Sequence, residues 1–195
     1  TIDADGHVIE PADLWQRELP GSLRGRGFQV IWNPDTRQEE VHLEGAPLLP
    51  FGIVGVGMAG RPFDDIGKGV RYSELMPGGS DPRRRLVDMD EEGIDIAVLY
   101  PSIGLFLEAI QDPALAEASC RVYNDWAWET FGAYNDRMSP AAAIATGDLE
   151  SSIAEVERVA KLGFRALTLP CKPIWGAHDV EHPNYNLPVF DRLWA

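Results

Sequence analysis

The sequence predicts an α/β fold built on a parallel sheet, and three observations carry that expectation. Helix-like and strand-like segments alternate from Ser80 onward. Each helix-like segment has its own start and stop residues, and each strand-like one is a short, nearly continuous apolar run of the kind covered on both faces. At 195 residues, 45 % apolar and 25 % charged, the chain can bury roughly 70 % of the surface it would expose unfolded. Disorder and fibrous structure are therefore excluded.

The elements follow in order. Residues 1–5 read as a first strand. Ser80-Asp81-Pro82 supplies an N-cap and a proline for the first turn of a helix over 83–92, which carries Leu86, Val87 and Met89 and stops at Gly93. Residues 94–102 form a buried strand. Asp112-Pro113 opens a second helix with Leu115, Ala118, Val122, Trp126 and Ala133 at helical spacing, broken at Asn135-Asp136-Arg137. The apolar run 141–146 is the next strand, and Asp148 caps a helix over 149–162 whose Ile153, Val156, Val159 and Ala160 share one stripe. Gly163 ends that helix, the strand 164–169 follows, and a fourth helix begins near Pro188. Short loops return a chain to a parallel strand only through a crossover helix, so these are βα units. Four of them make about half of an eight-stranded barrel, and an open doubly wound sheet fits the same periodicity.

The stretch 10–79 is irregular. Within it, 28–32 and 40–43 flank Asn33-Pro34-Asp35-Thr36 and predict a β-hairpin, while 48–69 is rich in Gly and Pro. A long loop after a barrel strand lies at the catalytic face, so this insertion is expected to help roof a site.

Seventeen Lys plus Arg against 31 Asp plus Glu give a net charge of −14, which disfavours nucleic acid as a partner. No apolar run reaches the ~20 residues of a membrane helix, so neither nucleic acid nor membrane is expected to be bound. Cys120 and Cys171 make no disulfide framework, which points to a reducing compartment and to a cytoplasmic protein. The chain opens at Thr1 without a Met and stops inside a helical pattern, so it reads as a fragment.

The chemistry-bearing segment is Ile2-Asp3-Ala4-Asp5-Gly6-His7-Val8-Ile9-Glu10-Pro11. Along an extended strand Asp3, Asp5 and His7 project from one face. Burying that face in a sheet would cost several kcal/mol for each unpaired carboxylate. A divalent cation between the Asp5 carboxylate and the His7 imidazole compensates, with Gly6 letting the backbone bend. A plain Asp5–His7 hydrogen bond, or Asp5 as a turn cap, satisfies the same groups. Elsewhere the reading is structural. His42 belongs to the hairpin surface, Trp126, Trp128 and Tyr134 to core or interface, and Arg83-Arg84-Arg85 to a solvated helix face. His178 and His182 are spaced like a second metal pair, but Pro183 argues against the helix that such a pair needs.

Residues 3–15 resemble the opening motif of the metal-dependent amidohydrolase superfamily, in its "amidohydrolase 2" branch with aminocarboxymuconate-semialdehyde and resorcylate decarboxylases. Residues 85–95, 163–167 and 183–190 resemble that branch's later helix and strand segments. The resemblance implies a (β/α)₈ TIM-like barrel. Residues 1–195 would be the N-terminal half of that single domain, about four βα units with an insertion at about 16–79. It implies Asp5 and His7 as ligands of one divalent ion, zinc first and manganese second, with a further His and Asp beyond Ala195. It implies a hydrolase or decarboxylase acting on a small carboxylated or aromatic substrate. Strand ends would supply substrate contacts: Glu10, Tyr100 with Ser102, and Lys172, Trp175 and His178. Two other readings are a barrel-like protein without its metal site and an open-sheet binding module. Exposed apolar edges of half a barrel lead to an expected homo-oligomer.

Overall fold

The computed structural model of the chain describes residues 1–48, 62, 71–170 and 185–195. The chain runs β1 (Ile2–His7), α1 (Leu14–Glu18), β2 (Gln29–Asn33), β3 (Gln38–Leu43) and β4 (Ala46–Pro47), then α2 (Pro82–Glu92) and β5 (Ile96–Tyr100). It continues with α3 (Pro113–Phe131), β6 (Met138–Ala143), α4 (Leu149–Leu162), β7 (Ala166–Thr168) and α5 (Asp191–Trp194). The main sheet has the order β1-β5-β6-β7 with every neighbouring pair parallel. Strand order follows chain order, so the described sheet contains no switch point of the kind the open doubly wound alternative requires. Among the described residues no helix is long and apolar enough to cross a membrane.

Local chemistry fixes the crossover helices where their caps predict. Asp81, Asp112 and Asp148 each accept backbone N–H bonds from the first turn of α2, α3 and α4, at 2.9, 3.0 and 2.8 Å for the shortest in each case. At the end of α4, Gly163 has φ +114°, and a Cβ there would meet the Trp128 ring at 2.7 Å. Glycine is thus needed both for the left-handed turn and for the Trp128–Phe164 contact, whose centroids are 5.0 Å apart.

Strand β6 starts three residues earlier than its apolar run suggests. Pro140, just before that run, sits in the ladder opposite Leu99. All six residues of β6 are buried, and the small side chains of Ser139 and of Ala141, Ala142 and Ala143 let α3 lie close. Asn124 on α3 then serves the strand backbone directly, accepting from Ala143 N at 2.7 Å and donating to Ala143 O at 2.9 Å. It also donates to Glu155 of α4 at 2.8 Å, and Glu155 receives Arg158 through two bonds of 2.7 and 2.8 Å.

Burial pushes the Glu155 carboxyl up. Hydrogen bonds from Arg158 and Asn124, with the charges of Arg158 and Arg121, outweigh burial and hold it below its usual 4.5. A carboxyl depressed by folding adds stability that is present above its unfolded value and lost as the pH falls through its folded one. The difference in urea midpoint between the native protein and Glu155→Gln is therefore expected to be large near neutrality and to shrink on acidification below about pH 4.5. A pH-independent difference would contradict this role.

The hairpin lies where the sequence places it, as β2 against β3 from Gln29↔His42 to Asn33↔Gln38, and β4 adds a third antiparallel strand. His42 is not the surface residue expected. Its side chain is only 17 % exposed and lies 3.4 Å from Glu40, because the face it shares with Glu40 folds inward. Helix α1 has no periodic signal. Its Leu14 and Trp15 are buried at 1 % exposure, and Trp15 meets Phe28 edge-on at 4.8 Å and donates through Nε1 to Ser119 O at 3.1 Å. That single indole ties α1 and the hairpin to α3.

Candidate metal centre

The site is built where β1 ends. Pairing with β5 is regular at Ile2↔Ile96 and Asp3↔Ala97, then resumes at Gly6↔Leu99 and His7↔Tyr100, so β1 carries one extra residue. A bulge of this kind re-aims the side chains around it. Across the bulge Asp3, Asp5 and His7 still open onto one cleft. Asp3 is half-buried and accepts Asp5 N–H at 3.0 Å.

Gly6 works by its size. A Cβ there would meet Arg85 Nη2 at 2.9 Å, Asp3 Oδ2 at 3.0 Å and Leu99 Cδ2 at 3.1 Å. The space is used by Arg85, whose Nη1 donates to His7 O at 2.7 Å and to Gly78 O at 3.3 Å. Arg85 is thus half-buried and not part of a solvated face with Arg83 and Arg84. Burial lowers its pKa, with Asp3 and Asp88 acting in the opposite direction. The available signal was helical spacing, since Arg85 lies four residues before the buried Met89.

His7 is oriented from both ends. Its Nδ1 lies 2.8 Å from Pro101 O. A carbonyl only accepts, so Nδ1 is the donor, and with Nδ1–H as the ring's one N–H the lone pair lies on Nε2. That nitrogen is 3.9 Å from Asp5 Oδ1, too far for a hydrogen bond. Donor-to-ion distances of about 2.0–2.2 Å allow two donors up to roughly 4.2 Å apart to share one cation. A nitrogen and a carboxylate oxygen are the donor types that divalent zinc and manganese accept. The two residues fit the ion that the sequence motif implies.

Burial does not supply the reason. β1 is an edge strand of the described sheet, and the Asp5 side chain is 92 % exposed and that of His7 39 %. The desolvation expected of a central strand does not apply, and the case for a cation rests on convergence and on the His7 tautomer. Among the described residues no group of three or more His, Cys, Asp or Glu could hold a metal, so this pair is the candidate.

Tyr100 lies beside His7 with ring centroids 6.2 Å apart. Glu10 has another position from the one expected of a substrate contact. It is fully buried and faces backbone amides of the loop after β5. Ser102 is buried too, donating through Oγ to Val8 O at 2.6 Å. Lys172, Trp175, His178 and His182 lie outside the described residues. A cleft of about 530 Å³ contains Asp5 and His7 together with Asp3, Ile9, Arg85 and Met89. A second, of about 380 Å³, lies at the C-terminal ends of β6 and β7, with Ile144, Thr146, Thr168 and Leu169 on its wall, and includes neither Asp5 nor His7.

A polypeptide with this parallel sheet, and a motif of this kind closing its first strand, belongs to a recognisable class. The amidohydrolase family model matches residues 2–195, and the chain belongs to that family. No curated protein matches it. Among solved structures, an amidohydrolase from Mycobacterium avium subsp. paratuberculosis K-10 is similar at TM-score 0.77 and 22 % identity, over 100 % of this chain and 54 % of that one. A dihydroxybenzoic acid decarboxylase from Polaromonas sp. JS666, with bound manganese and the inhibitor 2-nitroresorcinol, gives TM-score 0.59 and 20 % identity, over 99 % and 44 %. The 2,6-dihydroxybenzoate decarboxylase from Rhizobium gives 0.54 and 19 %, over 99 % and 45 %. These likenesses show a shared fold, and the chain spans about half the length of each neighbour.

Proposed function

We propose that residues 1–195 are the N-terminal half of a (β/α)₈ amidohydrolase barrel whose complete form is a metal-dependent decarboxylase of small hydroxylated aromatic carboxylates. The observation that carries this reading is the His7 imidazole, held by Pro101 O so that its free nitrogen faces the Asp5 carboxylate. Support for the reaction comes from the solved neighbours, two of which are decarboxylases of dihydroxybenzoates. Hydrolysis is the coarser family chemistry and uses the same pair.

Asp5 and His7 would hold one divalent ion. The manganese of the Polaromonas enzyme and the hard carboxylate of Asp5 support manganese as the ion proposed here, with zinc, the first expectation from the sequence, as the alternative. Bound there, such an ion supplies electrophilic polarisation of a substrate carboxylate or hydroxyl. The chain's own residues do the rest. Arg85 fixes the backbone of His7, and Pro101 O keeps its Nδ1 protonated. Tyr100 offers a ring edge beside His7 for an aromatic substrate. Trp175 and His178 stay as proposed substrate contacts. Self-association through exposed Ile2, Ile96 and Leu167 on the sheet is proposed for this half-barrel alone, since the rest of a complete barrel would cover them.

The test uses the full-length protein that carries this chain, stripped of metal and reloaded with manganese or zinc, and measures carbon dioxide release from a panel of hydroxybenzoates. Metal-dependent release is the expected result. Hydrolysis of esters or amides without any release would move the function to the hydrolytic branch.

A further inference from the structure

We propose that Glu10 is a positioning residue for the candidate metal centre, fixing the loop after β5 so that Pro101 O holds His7 in the form that leaves Nε2 free. The proposal rests on the reading of His7 as a ligand. Its test reads the histidine itself, without metal.

Three consecutive amides converge on one carboxylate. Ser102 N and Gly104 N donate to Glu10 Oε1 at 3.0 and 2.9 Å, and Ile103 N donates to Oε2 at 3.1 Å. Successive N–H groups aimed at one point make an anion-binding concavity, and here the anion is a side chain of the same polypeptide. Glu10 is itself buried and anchored. It is 0 % exposed, and Tyr72 Oη donates to its backbone carbonyl at 2.6 Å. Ser102 Oγ meanwhile donates to Val8 O at 2.6 Å and Val8 N donates to Tyr100 O at 2.9 Å, so the loop is laced to the strand end on both sides of Pro101.

Gly104 closes the arrangement. A Cβ at that position would meet Pro101 Cβ at 2.7 Å and Glu10 Oε1 at 3.2 Å. The residue that accepts from His7 and the carboxylate that orders the loop thus press on the same small space.

A buried carboxylate is an expensive way to order a loop. Burial pushes the Glu10 pKa up, and the bonds from Gly104, Ile103 and Ser102 work against that. An apolar side chain would fill the volume but leave three amides without acceptors. What the carboxylate adds is a fixed direction for the peptide that begins at Pro101, three residues before the last amide it holds. Losing the partner that sets a ligating histidine's tautomer typically costs 10- to 100-fold in metal affinity.

The experiment is long-range ¹H–¹⁵N correlation of the histidine rings in the metal-free full-length protein above the imidazole pKa, with His7 assigned by its loss in His7→Ala. The native protein is expected to show His7 protonated on Nδ1. Glu10→Gln turns an N–H donor toward amides that need acceptors, and Gly104→Ala crowds Pro101 without touching the carboxylate charge. Both folded variants are expected to show a mixture of His7 tautomers and a manganese affinity about 10- to 100-fold lower.

A native His7 protonated on Nε2 overturns the proposal, and so do folded variants that keep the native tautomer. Loss of folding in both variants also overturns it, because Glu10 would then serve stability alone. A protein with the expected tautomers that binds no manganese would uphold the positioning role and sink the proposed function.

Discussion

His7→Ala is expected to abolish high-affinity manganese binding in the full-length protein, with a loss beyond about 100-fold in Kd, and Asp5→Ala is expected to do the same. The magnitude follows from the outer shell. Removing a residue that merely orients a ligand typically costs 10- to 100-fold, and these changes remove a donor atom outright. Neither substitution opens a core cavity. Asp5 is 92 % exposed at its side chain and His7 39 %, so the melting temperature of the metal-free protein should barely move. Isothermal titration of metal-stripped protein, with far-UV dichroism as the folding control, checks both parts. Unchanged stoichiometry and affinity in either variant would remove that residue from the site.

Trp15→Ala is expected to be strongly destabilising. The indole is 1 % exposed, packs edge-on against Phe28 and donates to Ser119 O. Truncating a buried Trp costs about 3–5 kcal/mol, which for a domain of this size lowers Tm by roughly 6–20 °C. Trp15→Phe keeps much of the packing and loses the N–H bond, so its cost should be nearer ~1 kcal/mol. Chemical denaturation of both variants measures the split. Equal costs would mean that the hydrogen bond, and not burial, holds α1 and the hairpin to α3.

The crossover helices were legible because their signals are local. Asp81, Asp112 and Asp148 cap the helices they precede, and Gly93 and Gly163 adopt the left-handed turns that end two of them. The Asp5–Gly6–His7 motif was legible for the same reason, as a spacing along one strand. What escaped depends on contacts between distant segments. The bulge at 3–6 is a matter of register against β5, and no periodicity encodes it. Arg85 was hidden in a run of three arginines whose first two members are exposed. Glu10 sits beside the motif and so resembled a substrate contact. Its partners are backbone amides 92 to 94 residues away, and backbone groups leave no mark in a sequence. The Pro101 carbonyl that orients His7 is invisible in the same way.

A crystal structure of the full-length protein loaded with manganese, with anomalous difference density recorded, tests the central claim most directly. One peak about 2.0–2.3 Å from both an Asp5 oxygen and His7 Nε2, with His7 Nδ1 still on Pro101 O, is the predicted result. A peak bound by other side chains, with Asp5 and His7 apart or joined only to each other, would contradict it.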